Sequence, residues 1–271
     1  MGVRVAMYQG PEQSSDVAGN LAAIEAAAQR AAAAGADLLV TPEMSVTGYN
    51  IGPLAHERAE PADGPIATRV AELARAQGLA IAYGFPERTA YGVHNTVQVI
   101  GAEGTVLAAY RKTHLFGELD HSLFVPGNDL VVQFPLGGLT FGLAICYDIE
   151  FPELARAHGD AGTDVLLAPT GLMAPFEVVS RILVPARAYE NQLYAVYVNR
   201  CGVEADLTYC GLTCAVAPDG SDLVRGGLGE QLLVADLDPD TLAASRALNT
   251  HLFDRRGDLY PTTPDWRHPT Q

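Results

Sequence analysis

Two short stretches of this chain are apolar at every position and then break into a proline and a polar side chain. Leu38-Leu39-Val40 leads into Thr41-Pro42-Glu43, and Val165-Leu166-Leu167-Ala168 leads into Pro169-Thr170. A strand with no polar side must be covered on both faces, as in a parallel sheet buried between other layers. Neither run is long enough to cross a bilayer, which takes about 20 apolar residues. The pattern points to an α/β fold, and its repetition hints at two similar α/β layers.

The surrounding sequence fits this class. Val3 to Met7 predicts a strand, and Asp16 to Ala34 a long alanine-rich helix closed by Gly35. Gly64-Pro65 opens a second helix running to about Gln77. Strands are expected at 79–84, 96–100 and 106–110, the last two forming a hairpin around Gly101-Ala102-Glu103-Gly104. In the second half, 140–146 predicts a strand and 151–161 a helix, with further strands at 165–168, 194–199, 214–217 and 231–236. From Arg255 onward, Pro261, Pro264 and Pro269 predict an extended arm. No Gly/Ser linker divides residues 1–271, so one domain is expected.

Composition narrows the function. Hydrophobic residues make up 48% of the 271 and charged ones 18%, enough apolar material for a large core. The balance of 17 Lys+Arg against 32 Asp+Glu, a net charge of −15, disfavours a nucleic-acid partner. The N-terminal MGVRVAMYQG has no basic leader with an apolar stretch behind it, and no membrane association is expected. Four cysteines, Cys146, Cys201, Cys210 and Cys214, do not make a disulfide framework, and the cytoplasm is the expected compartment. Cys201, Cys210 and Cys214 also lack the paired spacing of a zinc site, and Asp236-Leu237-Asp238-Pro239-Asp240 lacks the glycine and final glutamate of a calcium loop. No metal is expected.

Three residues carry the chemistry. Cys146 ends the apolar run Leu139–Ile145, where the chain turns into Tyr147-Asp148-Ile149-Glu150-Phe151-Pro152-Glu153 and a helix. A thiol at that junction has its pKa lowered and backbone N–H groups nearby to meet an oxyanion. Glu43 follows the second strand and Lys112 follows the hairpin, in Tyr110-Arg111-Lys112-Thr113-His114. Taken singly, these read equally as an inert buried cysteine, a helix-end or surface carboxylate and a solvated lysine. Together they supply a nucleophile, a general acid/base and a fixed cation, the complementary parts of acyl transfer.

These residues, in Val40-Thr41-Pro42-Glu43, Tyr110-Arg111-Lys112-Thr113-His114-Leu115 and Gly142-Leu143-Ala144-Ile145-Cys146-Tyr147-Asp148-Ile149-Glu150-Phe151-Pro152-Glu153, make a chain that resembles the carbon–nitrogen hydrolase (nitrilase) superfamily. The resemblance continues through Pro185-Ala186-Arg187-Ala188-Tyr189-Glu190-Asn191 and Asn199, and is greatest to the amidase-like branch. It implies a four-layer α-β-β-α sandwich that pairs into an eight-layer dimer, and a Glu43–Lys112–Cys146 triad. It further implies a second carboxylate before Pro126-Gly127, either Asp120, which the spacing favours, or Glu118. Lys112 and the Tyr147 N–H would hold the oxyanion while a thioester forms on Cys146, with no metal or organic cofactor. The implied activity is hydrolysis of a small carboxamide, aliphatic or an amino-acid amide, to acid and ammonia. A nitrilase, an N-carbamoyl amino acid hydrolase and a non-catalytic assembly protein are the alternatives.

Pocket candidates are Tyr49, Phe116, Phe124, Thr170, Met173, Phe176 and Glu177. Residues 170–180 contain no Lys or Arg, so neutral or ammonium-bearing amides are expected over carboxylate-bearing ones. Replacing Lys112 by alanine is expected to remove activity at no more than a surface truncation's cost in stability.

Overall fold

The every-position apolar strands are explained by which way each residue faces. In the computed structural model, which describes residues 2–10 and 16–260, β1 (Val3–Gln9) is followed by α1 (Val17–Ala33), β2 (Leu38–Val40), α2 (Leu54–Arg58) and α3 (Pro65–Gln77). Then come β3 (Ala80–Thr89), β4 (Gly92–Ile100), β5 (Val106–Arg111), α4 (Gly117–His121), β6 (Gln133–Leu136), β7 (Leu139–Leu143) and α5 (Pro152–Asp160). The remainder is β8 (Val165–Pro169), α6 (Val184–Asn191), β9 (Tyr194–Val198), β10 (Cys201–Glu204), β11 (Leu207–Cys210), β12 (Cys214–Val216), β13 (Asp222–Arg225), β14 (Gln231–Leu237) and α7 (Pro239–Leu248).

Leu38 and Val40 point into a core shared with Val165, Leu167, Phe141 and Leu143 of the second sheet. Leu39 points the other way, onto Ile24, Ala28, Val70 and Ala74 of α1 and α3. Leu166 and Ala168 likewise turn away from the shared core, onto Leu154, Val184 and Ala188 of α5 and α6. Period-two alternation thus feeds three apolar layers, and the order of layers is helix, sheet, sheet, helix.

Each six-stranded sheet follows one plan. The first runs β14-β1-β2-β3-β4-β5, and the second, taken in the matching direction, runs β6-β7-β8-β9-β12-β13. In both, the first strand is antiparallel, the next three are mutually parallel, and the last two are antiparallel again. The hairpin β10–β11 stands apart as its own two-stranded sheet.

Local signals act as expected at α1, whose Asp16 accepts a hydrogen bond from Gly19 N–H at 2.9 Å, and at α3, which begins on Pro65 and stops at left-handed Gly78. The strand expected to reach Cys146 instead ends at Leu143, three residues short. The arm expected to be extended from Arg255 opens with a 3₁₀ turn at Gly257–Leu259, and Arg255 is tied to Asp160 at 2.6 Å; residues 261–271 lie outside the described residues. Among the described residues no helix is long and apolar enough to cross a membrane.

Candidate active site

Glu43 sits in the turn that follows β2. Thr41 N–H still pairs with the Ala82 carbonyl at 3.0 Å, continuing the ladder, but Met44 adopts a positive φ of 52° and reverses the chain. Ser45 Oγ lies 2.7 Å from Thr41 Oγ1 and accepts Gly84 N–H at 3.1 Å. A Cβ on Gly84 would stand 2.3 Å from Met44 N, so only glycine permits this approach. Arg200 braces the turn from the other side. Its Nε donates to the Glu43 carbonyl at 3.1 Å and one terminal nitrogen to the Met44 carbonyl at 3.0 Å, while the other meets Glu204 at 3.0 Å.

The turn delivers a carboxylate that is 1% exposed. Oε1 accepts from Asn95 Nδ2 at 2.7 Å and from Lys112 Nζ at 2.8 Å. Oε2 is equally buried but has no hydrogen-bond partner; it lies near Gly171, and the Cys146 thiol is among the groups that act on this carboxylate. Burial raises the Glu43 pKa, Asp120 adds to the rise, and the Lys112 charge offsets only part of it.

Lys112 is held by its backbone on both sides, its N–H on the Asn95 carbonyl at 2.9 Å and its carbonyl on Gly127 N–H at 2.8 Å. Its ammonium is fully buried and reaches Asp120 Oδ2 at 2.6 Å as well as Glu43. Burial opposes the charge, but Glu43, Tyr49 and Asp120 outweigh it and hold the Lys112 pKa well above its ordinary value. Asp120 is in turn fixed by the Tyr49 hydroxyl at 2.9 Å and Phe116 N–H at 2.9 Å. Glu118, the other carboxylate considered for this place, is exposed and takes no part.

Cys146 begins a 3₁₀ turn, Cys146–Glu150, with a φ of 49° that non-glycine residues seldom adopt. Asp148 clamps that turn. Its Oδ2 accepts from Ile145 N–H at 3.0 Å and from the Tyr110 hydroxyl at 2.8 Å, and its Oδ1 from His114 N–H at 2.9 Å and the Thr113 hydroxyl at 3.0 Å. One buried carboxylate therefore locks the cysteine turn to the segment carrying Lys112. The thiol pKa is not lowered, as its position suggested. Burial and the Glu43 charge push it up, and the Lys112 charge, the Thr170 hydroxyl and Gly171 N–H are outweighed. Cys146 therefore rests as a thiol, and an attack by its sulfur would require a base.

Comparison with known proteins fits this arrangement. Residues 4–247 match the carbon-nitrogen hydrolase family. The chain belongs to that family. Relatives include the "Hydrolase in pqqF 5'region" of Pseudomonas protegens, 49% identical over 95% of this chain and 90% of that one. An (R)-stereoselective amidase from a Pseudomonas species is 39% identical over 81% and 80%. Among solved structures, a mutant of the amidase from Nesterenkonia sp. AN1 superposes with a TM-score of 0.86 at 33% identity, covering 95% of each chain. That mutant carries the acetamide moiety of fluoroacetamide covalently on its active-site cysteine, and other variants of it were solved with acrylamide and with butyramide. This carbon–nitrogen hydrolase therefore acts on non-peptide C–N bonds, and its α/β sandwich is that of the nitrilase-superfamily amidases.

A narrow recess opens onto Cys146. Of the residues expected to line it, Tyr49, Phe116, Met173 and Phe176 do, and Tyr147 borders it next to the thiol. Phe124 does not; it packs with Met44, Ile51 and Ala55 in a satellite core behind the Asp120 loop. Thr170 is fully buried under Cys146, donating to the Tyr197 hydroxyl at 2.9 Å, and is not a wall residue. Glu177 lies away from the recess, on the side of Cys210. The sequence reading did not assign Glu150 or Leu172 to the site, although both line the recess. It also missed Asp148, Asn95 and Arg200, whose bonds to His114 and to Glu43 span more than 30 residues of sequence and leave no local signature.

Proposed function

We propose that this hydrolase is an amidase that converts a small carboxamide, aliphatic or an amino-acid amide, to its acid and ammonia through a thioester on Cys146. The observation that carries the reading is the wholly buried Lys112 ammonium, 2.8 Å from Glu43 and 2.6 Å from Asp120, beside a thiol with a raised pKa and a Glu43 oxygen with no partner.

Glu43 Oε2 takes the Cys146 proton as sulfur attacks the amide carbon. The carbonyl oxygen gains the negative charge and is met by Lys112 Nζ and the Tyr147 N–H. Glu43 passes its proton to the nitrogen, ammonia leaves, and the acyl group stays on sulfur. Glu43 then takes a proton from water, hydroxide adds to the thioester, and the departing sulfur recovers the proton as the acid is released. Asp120 keeps Lys112 charged and pointed at the oxyanion position. A pre-placed donor of this kind is typically worth about 10²–10³ in rate.

The narrow recess suits a small acyl group, in line with the acrylamide and butyramide held by the related amidase. Exposed Val178, Ile182 and Tyr189 on the helical face outside the second sheet support pairing of two copies into an eight-layer dimer. The test of function is ammonia release from a panel of small amides, nitriles and carbamoyl amino acids. Turnover of amides is expected; turnover confined to nitriles or carbamoyl compounds would overturn the reading.

A further inference from the structure

The acyl-transfer steps leave one charged group in the recess unused. Glu150 is the only charged side chain among the described residues that line it, the other lining groups being the thiol, aromatic rings, Leu172 and Met173. Building on the amidase reading, we propose that the Glu150 carboxylate binds an ammonium group on the substrate, so that the preferred substrates are small carboxamides that also carry an amine.

Four observations point the same way. First, the carboxylate is half-buried with no hydrogen-bond donor from the described residues; what it senses is burial and the more distant charges of Lys112 and Arg187. A carboxylate kept partly out of water without a partner is costly unless a ligand supplies one. Second, its backbone is fixed. Arg187 donates to the Ile149 carbonyl at 3.0 Å and the Glu150 carbonyl at 2.7 Å, and its remaining charge is spent on Glu190 at 3.0 Å. Glu150 is thus placed by the same 3₁₀ turn that places Cys146, four residues away, so a substrate held by its carbonyl and its amine would span one rigid unit.

Third, the neighbouring rings favour a cation. Phe116 packs edge-on against Tyr147 at 5.4 Å and Phe176 at 6.1 Å, so aromatic rings and a carboxylate share the recess, a combination suited to an ammonium group. Fourth, nothing there would hold a carboxylate tail. Lys112 is taken by two carboxylates, Arg200 lies behind the Glu43 turn, and no other cation lines the recess among the described residues.

The experiment compares kcat/KM within matched pairs that differ only in methyl against ammonium: pentanamide with 4-aminobutanamide, and isobutyramide with alaninamide. In the wild type the amine-bearing member of at least one pair is expected to lead by about tenfold or more, the scale of a hydrogen bond to a charged group. Glu150→Gln should bring that ratio down by a similar factor. Raising the ionic strength on the wild type should shrink the ratio as well, an arm that needs no variant. A wild-type ratio near one in both pairs, or a ratio that Glu150→Gln leaves unchanged, would overturn the assignment. If none of these amides releases ammonia, the amidase reading itself falls, an outcome distinct from turnover without preference.

Discussion

The two sheets share a plan but not a purpose at their carboxyl ends. The strand that ends in Pro42-Glu43 has its counterpart in the one that ends in Pro169-Thr170, and both side chains are fully buried next to Cys146. In the proposed mechanism one is the acid/base; the other is a hydroxyl bonded to Tyr197. The same division recurs around the sheets. The first parallel strand of the second sheet leads to Cys146, whereas its counterpart β1 ends in Gln9, whose amide is consumed by the Gly227 carbonyl at 2.9 Å and Thr213 N–H at 2.9 Å. The last strand of the first sheet leads to Lys112, while its counterpart β13 ends in Arg225, tied to Asp222 at 2.6 Å. On the proposed mechanism, each of these positions that supplies chemistry in one sheet supplies scaffolding in the other. The fold provides equivalent buried stations, and what occupies the residue or two after each strand decides which becomes a reagent.

That contrast can be broken one station at a time. The largest effect is expected at Glu43. Glu43→Gln keeps the size and the hydrogen bonds available from Asn95 but cannot accept a proton, and kcat/KM should fall by about 10³, within the span of general acid–base catalysis. In the wild type the acid limb belongs to the same group. Because the raised Glu43 pKa favours its protonated form, activity should decline as pH falls through a value above the ordinary 4.5, not below it. A pH–rate profile flat down to pH 4 would remove Glu43 as the base.

Next is Lys112. Its burial between two carboxylates changes the expectation for Lys112→Ala, which reads from sequence as a cheap truncation. Removing the ammonium leaves Glu43 and Asp120 buried together without a counter-charge, so denaturant unfolding should show a loss of about 3–5 kcal/mol alongside the loss of turnover. A stability change within about 0.5 kcal/mol would mean that the lysine is solvated after all. The smallest effect belongs to the scaffold station. Thr170→Val removes one hydrogen bond near the thiolate and should slow acylation by about tenfold or less. A loss as large as that of Glu43→Gln would erase the distinction between the two strand ends.

How far the sequence exposes this arrangement depends on the range of the interactions. The central strands and α1 and α3 carry their own signals, in alternation, Asp16, Pro65 and Gly78. The edge strands Gln133–Leu136 and Asp222–Arg225 and the hairpin Cys201–Glu204 with Leu207–Cys210 are too short for a periodic pattern, and the buried Glu204 reads as a loop charge until Arg200, Tyr49 and Tyr209 are seen around it. The strand before Cys146 reads too long because Ala144 and Ile145 remain apolar and buried beyond its end at Leu143, with Ala144 N–H still on the Leu167 carbonyl at 2.9 Å. Phe124 and Glu150 fail in opposite directions. An aromatic in a loop and a carboxylate in a turn reveal nothing locally about which way they face, so one was assigned to the recess and the other was not.

The central claim is that Cys146 carries the acyl group, and one measurement addresses it directly. Wild-type protein mixed with a slowly turned-over small amide, quenched in acid and digested, is analysed by mass spectrometry. The expected result is a mass increase equal to the acyl group on the peptide containing Cys146, absent from Cys146→Ala. An adduct on Cys201, Cys210 or Cys214 instead, or ammonia release by Cys146→Ala above a trace, would contradict it.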